Sequence, residues 1–98
     1  MGIVLAEAVD RRRLEHCLEE RGWQPVRIGG QPGYEKEVPP WVWLARLSPR
    51  VEFLSWVPDD DQAHRHAEGL RRLRREVEEI AGSLDIRLAS SLDLYLDA

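Results

Sequence analysis

The stretch WVWLARLSPRVEFLSWV, residues 41–57, decides the fold. Two apolar runs, 41–47 and 51–57, flank Ser48-Pro49-Arg50, and the ring of Pro49 presets φ for the first corner of a turn. Apolar runs of this length about a turn predict an antiparallel hairpin. With Leu47 opposite Val51, one face carries Val42, Leu44, Leu54 and Trp56 plus a facing Arg46–Glu52 pair. The other then carries Trp41, Trp43, Ala45, Leu47, Val51, Phe53 and Val57. Shifting the register by one gathers Trp41, Trp43 and Trp56 on one face, with Val42, Leu44, Phe53 and Val57 opposite. Turn geometry chooses between the two registers, and in both of them each face of the hairpin is apolar.

Residues 3–9 on the N-terminal side are apolar except for Glu7 and read as a strand buried on both faces. Asp10 supplies a helix N-cap, Val9 and Leu14 the two ends of a hydrophobic staple, and Gly22 a stop. A short amphipathic helix is therefore expected over 11–21, its apolar stripe being Leu14, Cys17 and Leu18. A short strand is expected over 23–28. The stretch GGQPGYEKEVPP, residues 29–40, is rich in turn formers and reads as a long loop.

Beyond the hairpin, Asp59, Asp60 and Asp61 mark the start of a second helix, because acidic groups suit the positive end of the helix dipole. Ala63, Ala67, Leu70, Leu73, Val77, Ile80 and Leu84 recur at helical spacing, and Gly82 is the expected stop. Arg72 with Glu76, Arg74 with Glu78 and Arg75 with Glu79 stand one turn apart as candidate ion pairs. Residues 84–96 alternate with period two: Leu84, Ile86, Leu88, Ser90, Leu92, Leu94 and Leu96 fall on even positions, Asp85, Arg87, Ala89, Ser91, Asp93 and Tyr95 on odd ones. That is a strand with one wet face, at ~3.3 Å per residue about 40 Å long, twice the usual length.

The expectation is one α+β domain over residues 1–98, an antiparallel sheet with two helices on one face and a long loop before a central hairpin. The order of elements resembles the ferredoxin-like split βαβ plan. Two helices cover one sheet face only. An uncovered face with tryptophans would rival the largest apolar patch of an ordinary monomer, ~300–600 Å². This predicts an interface made of Trp41, Trp43, Phe53 and Trp56, clasped by Leu92, Leu94 and Leu96, with a second copy as the partner.

Composition bounds the alternatives. A net charge of −4 argues against general steering to nucleic acid or anionic membrane. The single cysteine, Cys17, forms no internal disulfide and fits a reducing cytoplasm. Arginine outnumbers lysine thirteen to one, with no asparagine or threonine, a balance that suits a thermophilic source.

Catalytic signatures are missing from the sequence. Asp59, Asp60, Asp61, His64 and His66 are its only dense group of metal-type ligands, and they read as a capped helix start with exposed histidines. His16 and Cys17 diverge by ~100° on a helix and form no nucleophile–base pair. No cofactor or metal is expected. The leading expectation is a non-enzymatic interaction or regulatory module acting as a homodimer. A small dimeric α+β-barrel enzyme or small-molecule binder, with Tyr34 and Trp41 lining a pocket at the 29–40 loop, is the alternative. A nucleic-acid binder using arginine clusters comes third, with Arg11, Arg12 and Arg13 as candidate anion ligands.

Overall fold

The computed structural model of the chain describes residues 2–5, 9–47, 50–57 and 63–86. The elements run β1 (Gly2–Val4), α1 (Arg11–Glu20), β2 (Gln24–Ile28), β3 (Gln31–Val38), β4 (Trp41–Arg46), β5 (Glu52–Trp56) and α2 (Ala63–Leu84). All strand pairs are antiparallel, and the spatial order is β1-β5-β4-β3-β2. The α+β class with an antiparallel sheet and two helices is therefore present. Its element order differs from the expected one, because four consecutive strands separate the helices. The further strand expected over 84–96 overlaps the end of α2, and beyond residue 86 it lies outside the described residues.

The extra strand comes from the segment read as a long loop. Gly29 and Gly30 have φ of +58° and +81°, the left-handed pair that a two-residue hairpin turn requires, so β2 turns straight into β3. The prolines of this hairpin, Pro25 in β2 and Pro32 in β3, are tolerated by position. Ile28 and Gln31 close the turn, and ladder alternation then points the backbone nitrogens of Pro25 and Pro32 away from the shared ladder. For Pro25 that is the free edge of the sheet, a common device for blunting an edge. For Pro32 it is the side of β4, whose pairing has stopped at Gly33 opposite Arg46. Pro39-Pro40, with a cis bond between them, is the two-residue turn joining β3 to β4, where Val38 pairs with Trp41.

Local chemistry starts α1 and ends both helices. At α1, Asp10 Oδ1 accepts from the backbone N–H groups of Arg12 and Arg13, at 2.9 and 3.2 Å. The helix closes in a Schellman motif: Trp23 N–H donates to Leu18 and Gly22 N–H to Glu19, with Gly22 at φ +90°. α2 ends in the same way, but not at the expected Gly82. Ile86 N–H donates to Ala81 and Asp85 N–H to Gly82, and Asp85 takes the left-handed position at φ +57°. The apolar stripe of α2 runs on through Ala81 and Leu84, both buried, and that burial outweighs the weak stop signal of one glycine.

Of the two available registers, β4 and β5 adopt the one with Val42 opposite Trp56 and Ala45 opposite Phe53. Trp41, Trp43, Ala45, Leu47, Val51, Phe53 and Val57 thus all face the helices and are buried. They join Ile3, Leu14, Leu18, Leu70, Leu73, Val77 and Ile80 in one core. Trp23 enters from the end of α1, with its ring 6.3 Å from that of Trp43 and 5.7 Å, edge-on, from Phe53.

α2 lies close on this layer because Gly69 has no side chain. A Cβ there would sit 2.5 Å from the Trp41 indole and 2.7 Å from Ser55 Oγ. The close approach lets Trp41 Nε1–H donate to the Arg65 carbonyl at 2.7 Å. Gly69→Ala is expected to cost about 1–3 kcal/mol through overpacking. Gly82→Ala, in a helix with nothing within 4 Å of the added carbon, is expected to gain about 0.5–1 kcal/mol. Urea unfolding of the two variants beside the parent protein checks both signs.

Candidate functional site

The most organised polar site is the carboxylate of Glu76 on α2. Its side chain is only 11% exposed, and Arg21, just after α1, grips it in a fork through Nε at 2.9 Å and Nη2 at 2.7 Å. Trp23 Nε1–H donates to Oε2 at 3.1 Å, and Lys36 Nζ on β3 stands 3.5 Å from the same oxygen. Arg21 Nη2 also bonds Glu79. Burial alone would raise the Glu76 pKa. The Arg21 and Trp23 hydrogen bonds and the Lys36 and Arg21 charges more than offset it, leaving the carboxyl at about 2. The Arg21 guanidinium is correspondingly raised, chiefly by its bond to Glu76.

This clasp redirects the ion pairs expected along α2. Arg74 pairs with Glu78 at 3.2 Å as the spacing predicts. Glu76 and Glu79 turn instead to Arg21, so the expected Arg72–Glu76 and Arg75–Glu79 pairs do not form. Arg72 lies over the Trp41 ring, 5.1 Å from its centroid. Among the described residues no carboxylate pairs with Arg72 or Arg75. A cleft of about 280 Å³ is lined by Trp43, Arg72, Arg75, Glu76 and Glu79. Trp43 is 5% exposed, and its Nε1–H has no hydrogen-bond partner. Such an orphan donor costs ~1–3 kcal/mol and calls for an explanation.

A second cleft, of about 360 Å³, lies at the β2–β3 hairpin and includes Pro25, Arg27, Pro32, Tyr34, Leu47 and Glu15 of α1. Tyr34 O–H donates to Glu19 at 2.8 Å. Burial, then that bond, then the charges of Glu15 and Glu19 push its phenol up to about 12. Trp41 does not join it. Tyr34 pairs with Ala45 and Trp41 with Val38, at opposite ends of the β3–β4 ladder, so the pocket expected between Tyr34 and Trp41 is not assembled.

The other sequence candidates are dispersed. Trp41, Trp43 and Phe53, expected at an interface, are enclosed by the chain's own helices, because the register turns them inward. Trp56 stays on the helix-free face and is 55% exposed, the one exposed large hydrophobic among the described residues. Val42, Leu44 and Leu54 adjoin it there, each half-buried. Leu92, Leu94 and Leu96 lie outside the described residues, as do Asp59, Asp60 and Asp61. Arg11 Nη2 donates to the Leu47 carbonyl at 3.2 Å, while Arg12 and Arg13 are exposed and their N–H groups are taken by Asp10. Cys17 packs partly on the core, and burial raises its thiol pKa. Among the described residues no group of three or more His, Cys, Asp or Glu side chains is placed to hold a metal, and no helix is long and apolar enough to cross a membrane.

Sequence reasoning missed the Glu76 clasp. Its members come from residues 21, 23, 36 and 76, and no local spacing announces a pairing across 40 to 55 positions. The available hints were the single lysine, Lys36, and an arginine at the end of α1. The chain matches no family model, and comparison with curated proteins and with solved structures returned no similar protein.

The clasp sets an acid limit. Glu76 is depressed in the folded state, so its contribution is complete above its unfolded pKa near 4.5 and is lost as pH falls toward about 2. Glu76→Gln is expected to cost about 2–4 kcal/mol at pH 7. The difference from the parent protein should shrink steadily between pH 4.5 and 2. Denaturant midpoints across that range check it, and a pH-independent difference would contradict the assignment.

Proposed function

We propose that the protein is a non-enzymatic interaction module that pairs with a second copy of itself through the helix-free face of the sheet. The observation that supports this is the cross-strand block on that face: Val42 opposite Trp56 and Leu44 opposite Leu54, with Trp56 more than half exposed. Register places Arg46 opposite Glu52 at one end of the block and Glu35 and Glu37 along its β3 side. An apolar centre with a charged rim is the anatomy of a protein interface. Both helices are spent on the other face, so a second sheet face is the natural cover, and a two-fold axis lets one patch serve both partners.

The ferredoxin-like reading at its finer level belongs to the same proposal. Leu5 N–H donates to Val51 O, and ladder alternation then turns the backbone groups of Gly2 and Val4 to the open edge of β1. That edge is the place the plan gives to a strand following the second helix, and Leu92, Leu94 and Leu96 would serve there as the clasp between copies.

Light scattering after size exclusion is expected to give twice the 11.4 kDa chain mass at micromolar concentration. Trp56→Glu, on the wet face, should return the chain mass with an unchanged circular dichroism spectrum. A parent protein that runs as a single chain at all concentrations overturns the reading.

A further inference from the structure

We propose that the cleft floored by Trp43 and rimmed by Arg72 and Arg75 binds a small oxyanion, the phosphate or carboxylate end of a ligand. Two observations converge there. Local spacing offers Arg72 and Arg75 the carboxylates of Glu76 and Glu79 one turn away, yet the tertiary fold gives both carboxylates to Arg21. Within the clasp, Arg21 and Lys36 balance Glu76 and Glu79, two charges against two, so Arg72 and Arg75 remain as surplus positive charge at the rim. The floor is Trp43, nine-tenths buried, with an indole N–H that has no acceptor. Arg72, Arg75 and Trp43 share this cleft of about 280 Å³ with Glu76 and Glu79, but Arg21 already holds both carboxylates, so the groups left without a partner are donors and their complement is an anion rich in acceptors.

The geometry of the arginines suits this task. Arg72 rests over the Trp41 ring, 5.1 Å from its centroid, and a cation–π contact of this kind uses none of its N–H donors. A neighbouring cleft of about 190 Å³, lined by Glu68, Arg71, Arg72 and Arg75, extends the positive rim along α2. The three arginines at 11–13 offer the contrast. They are close in sequence, but among the described residues no orphan donor stands beside them, and Asp10 already takes the backbone N–H groups of Arg12 and Arg13.

The test is calorimetric titration of the intact chain at low ionic strength with inorganic phosphate and, separately, with acetate. Saturable binding with about one ion per chain is expected. Tighter phosphate assigns a phosphate ligand and tighter acetate a carboxylate. Arg75→Gln and Trp43→Phe should each weaken binding about tenfold or more, whereas Arg74→Gln, which removes a residue paired to Glu78, should leave it unchanged. Because Trp43→Phe alters the core, a second readout is independent of its folding: the Trp43 indole N–H resonance of the parent protein should move on adding phosphate. Absence of saturable binding to either ion overturns the proposal, as does an unmoved indole resonance or an equal loss in Arg74→Gln and Arg75→Gln.

Discussion

A carboxylate held between two helices and a sheet has to be answered by donors, and the answer given to Glu76 organises much of this molecule. Arg21 reaches it from the end of α1, Trp23 from the approach to β2 and Lys36 from β3. Those donors tie the two helices to each other and both to the β2–β3 side of the sheet. A clasp of this kind contributes little through its net charge attraction, since desolvating the groups offsets most of it. Its importance is geometric. With α2 fixed by Glu76, Gly69 lies on Trp41 and Ser55, and the indole of Trp41 finds the Arg65 carbonyl. The Schellman turn that ends α1 delivers Arg21 and Trp23 to the same carboxylate from one short segment.

The clasp also explains the character of the α2 surface. An isolated helix with this sequence would neutralise itself through pairs four residues apart. Here two of the three such pairs are broken in favour of Arg21, and the arginines left over stand beside a buried indole that lacks an acceptor. The charge surplus arises from that long-range contact, and the unmet donor lies in the same cleft lining. The helix-free face is the opposite case. Its centre is aliphatic side chains and one exposed tryptophan aligned across β4 and β5, with charged residues only at its margins. The molecule therefore presents two unlike surfaces, one apolar and flat, the other cationic and recessed.

Much of this was legible in the residue order, because the signals are local. Asp10 and Gly22 bound α1 as capping chemistry requires. The stripe of Leu70, Leu73, Val77 and Ile80 places one face of α2 in the core. The two runs of residues 41–57 pair as a hairpin in one of the two registers their pattern allows. Where composition and position conflicted, composition misled. Residues 29–40 carry the residues of a loop, yet Pro32 points to the side where a ladder has stopped and Pro39-Pro40 form the turn into β4, so the segment between them forms a strand. Gly82 had the residue type of a helix stop but lies inside the helix, whose apolar contacts continue for one more half-turn.

By itself the sequence determined the class of the domain, the caps and apolar stripes of its helices and the double apolar character of the 41–57 hairpin. These rest on spacings of a few residues, over which backbone geometry is nearly fixed. Only the tertiary structure decided which face keeps the tryptophans. A shift of one residue in strand pairing reverses every side chain, and the choice that buries Trp41 and Trp43 leaves Trp56 outside. It alone decided the partners of Glu76 and, through them, the isolation of Arg72 and Arg75. Side chains tens of positions apart meet according to how helices lie on a sheet, and no local pattern encodes that.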